Sequence, residues 1–367
     1  MKKILFVLPN LQGGGAERVT LNFIKEIDRE QFIPVLFLLK NEGVYFKDIP
    51  KNVEVHTALQ SGQSVSRNIL RIIKKLINVS SSCDLIIGGL ELTATYFVAL
   101  VGKILRKPTI GWVHTNLKYY PSAKNKINKF LIKLFYSDLN RILCVSDGVK
   151  DDFRKLYPHI PDHRVIRLYN VFPNQQKDPL DQSKINSNSP IIIGMGRLGH
   201  EKGFDLLIQA HAEVIKEGLS HELVILGEGN ERGNLEKLIE DLNVNETVKL
   251  MGFIDTPSEW LKKTSLFVLS SRFEGFGMVL LEAMSAGVPI VSTRCDGPVE
   301  ILQEGKFGRL VPVEDSTLLA KEIMQLLSDK DARENYSNLG LERVKDFEPH
   351  TIMPQFHQIL NEVCSKK

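Results

Sequence analysis

Two carboxylates, Glu274 and Glu282, bracket the stretch EGFGMVLLE with seven residues between them. An apolar run at 266–269 precedes it and a helical pattern follows, so Gly275 and Gly277 fall where a strand turns into a helix. Glycines there let the backbone turn tightly and approach a ligand. The N–H groups of Gly277, Met278 and Val279 then open a helix, which is a seat for phosphate. A second stretch, GMGRLGHEKG at 194–203, carries Arg197 and Lys202 between an apolar run and a helical pattern. A guanidinium fork and a point charge suit a diphosphate. The same stretch spells G-x-G-x-x-G with Gly194, Gly196 and Gly199. In a dinucleotide fingerprint the helix opens within the glycine turn, and an acidic residue follows about 20 residues on. Here the helix waits until about Lys202 and the acidic Glu228 comes late, so the two cations carry more meaning than the glycines.

Two further stretches supply chemistry from the other half of the chain. LPNLQGGGAERV, at 8–19, is another glycine-rich turn from strand to helix, and it lacks the G-K-[ST] of a P-loop. GWVHTN places His114 at the carboxyl end of the apolar run 109–113, where ligands of open α/β sheets sit. Each has an ordinary reading when taken alone: solvated charge, a plain turn, a structural histidine. Asp329 and Asp331 form the sequence's D-x-D, but they lie between two helical stretches and read as a helix stop and cap. No metal site is expected.

The elements that must position these residues alternate along the chain. Apolar runs at 3–8, 32–39, 53–57, 84–88, 109–113, 141–145 and 165–169 read as strands, with helical patterns at 16–27, 65–79, 93–105, 126–136 and 148–156. Near-continuous apolar strands alternating with helices predict a parallel sheet covered on both faces. FPNQQKDPLDQSKINSNSP, at 172–190, has the composition of a linker. A second series follows, with strands at 191–194, 222–226, 248–251, 266–269, 289–292 and 308–311. Its helices are expected at 202–217, 231–241, 257–263, 278–286, 316–328, 331–345 and 349–363.

A composition 43% apolar and 25% charged is that of a globular chain. Lys2 and Lys3 lead straight into a short apolar run, and no run reaches the ~18 residues of a bilayer span. Cys83, Cys144, Cys295 and Cys364 are scattered, which predicts a reducing compartment and no disulfide frame, with Cys144 as a buried small hydrophobe. Charge is uneven: residues 1–175 hold 26 Lys and Arg against 14 acids, and the remainder 21 against 30. The basic half is expected to meet something anionic. Arg71, Lys74 and Lys75 lie among Ile and Leu in 64–80. Lys118, Lys126, Lys129 and Lys133 lie in an acid-free stretch with Tyr119 and Tyr120. Basic amphipathic helices suit an anionic membrane surface.

Taken together, GGGAE (Gly13 to Glu17), His114, Arg197-x4-Lys202-Gly203 and Glu274-x7-Glu282 resemble the retaining, nucleotide-sugar-dependent glycosyltransferases of family 4. MGFID, AGVPIVST and DGPVEIL extend the resemblance over nearly the whole chain. It implies an α/β fold of the GT-B class, two doubly wound Rossmann-like domains facing a deep cleft. The domains expected are an acceptor-binding, membrane-facing 1–172, a linker 173–190, a nucleotide-sugar-binding 191–345, and a helix at 346–367 packing back towards the first domain.

By resemblance, Glu274, His114, Arg197 and Lys202 form the catalytic set. The donor is held by Arg197, Lys202, Gly14, Gly15, Gly275, Phe276, Gly277, Met278 and Val279, with Glu282 on the ribose and the base beside Phe253 and Ile254. Glu274 orients the sugar, and His114 meets it from the opposite wall. Retention is expected by same-face attack, with the leaving phosphate taking the acceptor's proton, so that catalysis rests on positioning and electrostatics. Loss of Arg197 is then expected to lower kcat about 10²–10³-fold.

The resemblance also implies a nucleotide-sugar donor, UDP as its nucleotide, no cofactor, and a hexose or N-acetylhexosamine passed to a lipid-linked glycan. Lys118, Tyr119 and Tyr120 are expected near that acceptor, and the enzyme is expected on the inner face of the cytoplasmic membrane. The alternative is a nucleotide-sugar epimerase or hydrolase on the same scaffold, which would turn over donor without an acceptor. A dinucleotide oxidoreductase would hold a nicotinamide or flavin. A nucleic-acid partner would explain the basic half but not Glu274-x7-Glu282.

Overall fold

KKILFVL, Lys2–Leu8, forms the first strand, β1, and is buried from Ile4 onward. The computed structural model describes residues 1–119, 125–173 and 190–365. It comprises two units, Met1–Pro173 with Phe347–Lys367, and Asn174–Asp346. In the first unit β1 is followed by α1 (Gly15–Glu26), β2 (Phe32–Asn41), β3 (Glu54–Gln60), α2 (Ile69–Ser81), β4 (Leu85–Gly88) and α3 (Thr93–Leu105). Then come β5 (Thr109–Val113), α4 (Lys126–Tyr136), β6 (Arg141–Cys144), α5 (Asp147–Leu156) and β7 (Val165–Arg167). The seven strands pair in parallel in the order β3-β2-β1-β4-β5-β6-β7. The order reverses between β1 and β4, so the loops after these strands diverge and open a crevice at their carboxyl ends.

The second unit runs β8 (Ile191–Met195), α6 (Phe204–Lys216), β9 (Glu222–Leu226), α7 (Arg232–Asp241), β10 (Val248–Leu250), α8 (Ser258–Leu261) and β11 (Leu266–Leu269). It continues with α9 (Met278–Ser285), β12 (Ile290–Thr293), α10 (Asp296–Ile301), β13 (Arg309–Val311), α11 (Ser316–Ser328) and α12 (Lys330–Arg343). Its sheet is also parallel, ordered β10-β9-β8-β11-β12-β13, with the reversal between β8 and β11.

The last helix, α13 (Pro349–Ser365), belongs to the first unit. Its apolar face, with Ile352, Met353, Phe356, Ile359, Leu360 and Val363, is buried. Phe356 lies fully buried with its ring centroid 4.8 Å from Phe23 and 5.9 Å from Trp112, and Phe23 lies edge-on to Trp112 at 4.7 Å. Aromatic contacts of this kind add about 0.5–1.5 kcal/mol each beyond the area they bury. The His357 ring meanwhile stacks on Phe32 at 5.5 Å.

Every strand expected from the apolar runs forms; several helices differ. The helix expected over 65–79 begins at Ile69, after a 3-10 turn at Ser66–Asn68. The one expected from 202 begins at Phe204, because Gly203 is left-handed at φ 60 and ends the 3-10 turn His200–Lys202. The helix at 257–263 shortens to α8. DGPVEI forms α10 with its Gly and Pro in the first turn, where Pro's missing N–H breaks no helix bond. Asp329 accepts the Ala332 N–H at 2.9 Å and caps α12, the ordinary work of an aspartate between two helices. Cys144 is fully buried, and that burial raises its thiol far above its usual range.

A pair of histidines ties α6 to the turns that enter β9 and β10. The Leu219 carbonyl accepts from His221 Nδ1 at 2.9 Å, so His221 Nε2 accepts from His211 Nδ1 at 2.8 Å. His211 Nε2 then accepts the Thr247 hydroxyl at 2.8 Å. Both rings are about 1% exposed, and burial pushes His211 down to about 3 and lowers His221 as well. The unfolded chain protonates both near 6.5. Their contribution is therefore complete above about pH 6.5 and is lost as pH falls from there towards 3. The Tm of the wild type is expected to drop more steeply below pH 6 than that of a His211→Gln, His221→Gln double variant. Parallel Tm–pH curves would show that the pair does not titrate on unfolding.

Candidate active site

In the second unit the chain leaves β8 and runs beside the segment that leaves β9. Gly196 N–H donates to the Leu226 carbonyl at 3.0 Å, Leu198 N–H to Glu228 at 2.9 Å, and Glu231 N–H to Leu198 at 3.0 Å. The chain then makes its 3-10 turn and seats Gly203 on β11's exit, where an added Cβ would lie 2.2 Å from the Ser270 carbonyl. The Ser270 hydroxyl donates to the Lys202 carbonyl at 3.0 Å. Arg272 completes the strap. Its N–H donates to the Glu201 carbonyl at 2.9 Å, and its guanidinium to the His200 carbonyl at 2.9 Å. The same guanidinium grips Asp205 with two bonds, at 2.8 and 2.7 Å, and Glu314 at 2.6 Å. These carboxylates raise the Arg272 pKa further, Asp205 first, so its charge is permanent.

That strapping brings Lys202 and Glu274 together. Their Nζ and Oε2 are 2.5 Å apart, with the two side chains 20% and 16% exposed. Arg197 stands farther out, 74% exposed, and lies on Glu201 at 2.7 Å. Burial is the largest influence on Glu201 and opposes its ionisation, but the Arg197 bond, a backbone N–H and the charges of Arg197 and Lys202 together hold the carboxyl below its usual range. The Glu274 carbonyl accepts the Gly297 N–H at 3.2 Å, which pins the EGFG loop to α10. Gly275 and Phe276 are buried behind the loop. Gly277 caps α9 at φ 99, a left-handed position that a side chain would strain, and it offers no side chain to satisfy the helix's first N–H groups. Met278 and Val279, which open α9, are half-buried, and Glu282 is buried one turn on. Phe253, 54% exposed, and Ile254 follow the bridge in which Gly227 N–H donates to the Gly252 carbonyl at 2.8 Å. Glu228, the acid a dinucleotide fingerprint would need, is engaged with Arg232 at 2.7 Å.

In the first unit Gly14 caps α1 and Gly15 begins it, both exposed. His114 leaves β5 with its ring stacked 5.2 Å from Trp112. Its Nε2 donates to the Gly89 carbonyl at 3.1 Å, which leaves Nδ1 as the ring's acceptor. Burial pushes this imidazole down to about 3, so it is neutral. The His114 backbone N–H donates to Glu91 Oε2 at 3.1 Å. Lys118 lies over the Tyr119 ring, both exposed, while Tyr120 lies outside the described residues. On α2, Arg71 and Lys74 are exposed, whereas Lys75 donates to the Thr57 carbonyl and so ties α2 to β3. On α4, Lys126, Lys129 and Lys133 are exposed beside Ile127, Phe130 and Leu134, which are 66%, 64% and 48% exposed. Only Ile132 and Tyr136 of α4 are buried. Among the described residues no helix is long and apolar enough to cross a membrane.

Sequence reading missed Glu91, Glu201, Ser270 and Arg272. Arg272 stands two residues before Glu274, and its charge in the turn between β11 and α9 was the available signal; its partners, spread from 200 to 314, were not visible.

Comparison with known proteins accounts for both units. The profile of the family described as Glycosyl transferases group 1 matches residues 175–343, and that of Glycosyltransferase Family 4 matches 13–173. A Campylobacter jejuni relative is 28% identical over 95% of this chain and 96% of its own length. It is an N-acetylgalactosamine-N,N'-diacetylbacillosaminyl-diphospho-undecaprenol 4-alpha-N-acetylgalactosaminyltransferase. The lipopolysaccharide core biosynthesis glycosyltransferase LpsE of Rhizobium meliloti is 35% identical over 62% of this chain and 65% of its own. Among solved structures, Anabaena HepE in complex with UDP and glucose superposes with a TM-score of 0.84 over 99% of this chain and all of its own, at 22% identity. At that identity the likeness carries the fold, the two-domain GT-B class.

Proposed function

The chain belongs to the family 4, or group 1, glycosyltransferases, and from that premise we propose that it is a retaining, metal-independent hexosyltransferase. Its donor in this reading is a UDP-linked hexose or N-acetylhexosamine. Its acceptor is a hydroxyl of a lipid-linked glycan in the assembly of capsule, lipopolysaccharide or another cell-surface polysaccharide. The observation that carries the reading is the Lys202–Glu274 pair, set beside the uncapped start of α9. An ammonium and open helix N–H groups suit a diphosphate, while a carboxylate suits the hydroxyls of the sugar attached to it. The complex of HepE with UDP and glucose supports UDP, and the undecaprenol acceptor of the Campylobacter relative supports a lipid-linked one.

In this mechanism Arg197 moves from Glu201 to the diphosphate, and Lys202 shares its charge between Glu274 and the phosphate oxygens. Both stabilise the charge that builds as the glycosidic bond breaks. The acceptor hydroxyl attacks from the face the diphosphate leaves and passes its proton to the departing phosphate oxygen. Once Arg197 has moved in beside Lys202, the two cations supply the electrostatic stabilisation that such a transition state needs. Glu282 holds the ribose, Phe253 and Ile254 flank the base, and Gly14 and Gly15 approach the phosphates. His114, neutral, accepts a hydrogen bond at Nδ1 from a hydroxyl of the transferred sugar. The test is product mass and anomeric configuration with a panel of nucleotide sugars and an undecaprenyl-diphosphate-linked acceptor. An inverted anomer would overturn retention, and UDP release without a glycosylated product would favour a hydrolase.

We further place the enzyme at the inner face of the cytoplasmic membrane, docked through α2 and α4. Three lysines and three exposed apolar side chains on one short helix fit an anionic bilayer surface. Flotation with phosphatidylglycerol vesicles is expected at low salt and should weaken several-fold by about 0.5 M, where charge is screened within a few ångströms. Lys126, Lys129 and Lys133 changed together to Ala should abolish it. Equal flotation with neutral vesicles would remove the electrostatic part of the claim.

A further inference from the structure

Three titratable groups meet at the carboxyl edge of β1, β4 and β5: Glu17 on α1, Glu91 between β4 and α3, and His114 after β5. Glu91 is 7% exposed, and its Oε2 accepts the His114 backbone N–H at 3.1 Å. Two residues earlier in the same turn, the Gly89 carbonyl accepts from the His114 ring at 3.1 Å and from the Thr20 hydroxyl at 3.2 Å. The turn is fixed from its far side too. Leu92, at φ 61 and ψ −112, donates its N–H to the hydroxyl of the fully buried Tyr136 at 3.0 Å. A leucine in that region of backbone space persists only where its surroundings enforce it, and such positions cluster at working sites.

We propose that Glu91 is a positioning residue: its buried carboxylate fixes the His114 backbone, and with Gly89 it aims the imidazole so that Nδ1 accepts from the bound sugar. This rests on the reading that His114 contacts the transferred sugar. A carboxylate here is held at a loss. Burial pushes the Glu91 carboxyl up to about 7, against the pull of the His114 N–H, and Glu17 adds to the rise. The other groups that share its field are the Tyr136 hydroxyl on α4 and the Cys144 thiol at the end of β6, both raised by burial. Because the folded value lies above the ordinary 4.5, stability from this group is complete below about 4.5 and is lost as pH rises through 7. At pH 8 the fold carries an ionised Glu91 that opposes its stability, which is expected of a group kept for function.

The test uses the full chain with Glu91→Gln, Glu91→Ala and His114→Ala. In ¹⁵N-histidine spectra, His114 is expected as the Nε2–H tautomer in the wild type and in Glu91→Gln, whose amide oxygen still accepts. In Glu91→Ala the tautomers should mix. The Tm of Glu91→Gln relative to wild type should climb as pH rises from 5 to 8. With UDP-N-acetylgalactosamine and UDP-glucose as donor probes, Glu91→Ala should lose about tenfold or more in kcat with donor KM within about twofold, and Glu91→Gln should recover most of it. Unaltered His114 signals in Glu91→Ala overturn the proposal, as does wild-type kcat in Glu91→Ala where His114→Ala is impaired. Wild-type turnover in His114→Ala would instead overturn the role given to His114. The spectra and the melts, which need no donor, then still decide whether Glu91 sets the ring.

Discussion

Lys202→Ala is expected to lower kcat by roughly a thousandfold, at or above the roughly 10²–10³ expected for Arg197→Ala. The reason lies in what each removal leaves behind. Arg197 is 74% exposed, and its partner Glu201 can be solvated when the guanidinium is gone. Lys202 and Glu274 are both largely out of water, so removing the ammonium strands a carboxylate where an anionic diphosphate must bind. The variant loses one favourable charge and gains one repulsive one. A Lys202→Ala, Glu274→Gln double variant should therefore regain UDP affinity over Lys202→Ala while remaining inactive. Titration calorimetry with UDP, beside single-turnover rates, separates the two effects. Near-normal turnover by Lys202→Ala would remove this lysine from the mechanism, and unchanged UDP affinity in the double variant would show that Glu274 does not face the phosphates.

Phe356→Ala should cost the first unit about 3–5 kcal/mol. The ring is fully buried and packs on Phe6, Phe23 and Trp112, so truncation empties a rigid aromatic cluster with little means of closing the gap. Urea denaturation followed by Trp112 fluorescence, with Trp260 changed to Phe so that one indole reports, measures the loss. A cost under about 1 kcal/mol would mean that α13 covers the sheet without anchoring it.

The fold was legible because its central strands are buried on both faces and so announce themselves as short apolar runs. ILFVL in β1 and LFVL in β11 leave no other reading once a helical stretch follows each. The boundaries that shifted have local causes. Gly203 turns left-handed and holds α6 back until Phe204, and α10 forms because its Gly-Pro pair falls in the first turn, where a missing N–H breaks no helix bond. The cations and carboxylates of the site were legible as types and spacings. Their pairing was not. That Lys202 meets Glu274 while Arg197 meets Glu201 depends on a strap between residues some 70 apart, tied by Ser270 and Arg272. Glu91 gave no sign in GGLELTATY, since its meaning comes from a neighbour on the next strand.

The interrupted course of the first unit has a consequence for how the protein is made. Its sheet is laid down by Pro173, yet the helix that covers Phe23 and Trp112 begins only at Pro349. Everything between belongs to the second unit, which is continuous in sequence. At translation speeds of about 5–20 residues per second, the nascent sheet waits roughly ten to thirty-five seconds with an aromatic face uncovered. Its emerging partner meanwhile has all the sequence it needs to fold. The first-born half is thus the last to finish, and during that interval it is the part of the chain a ribosome-associated chaperone would hold.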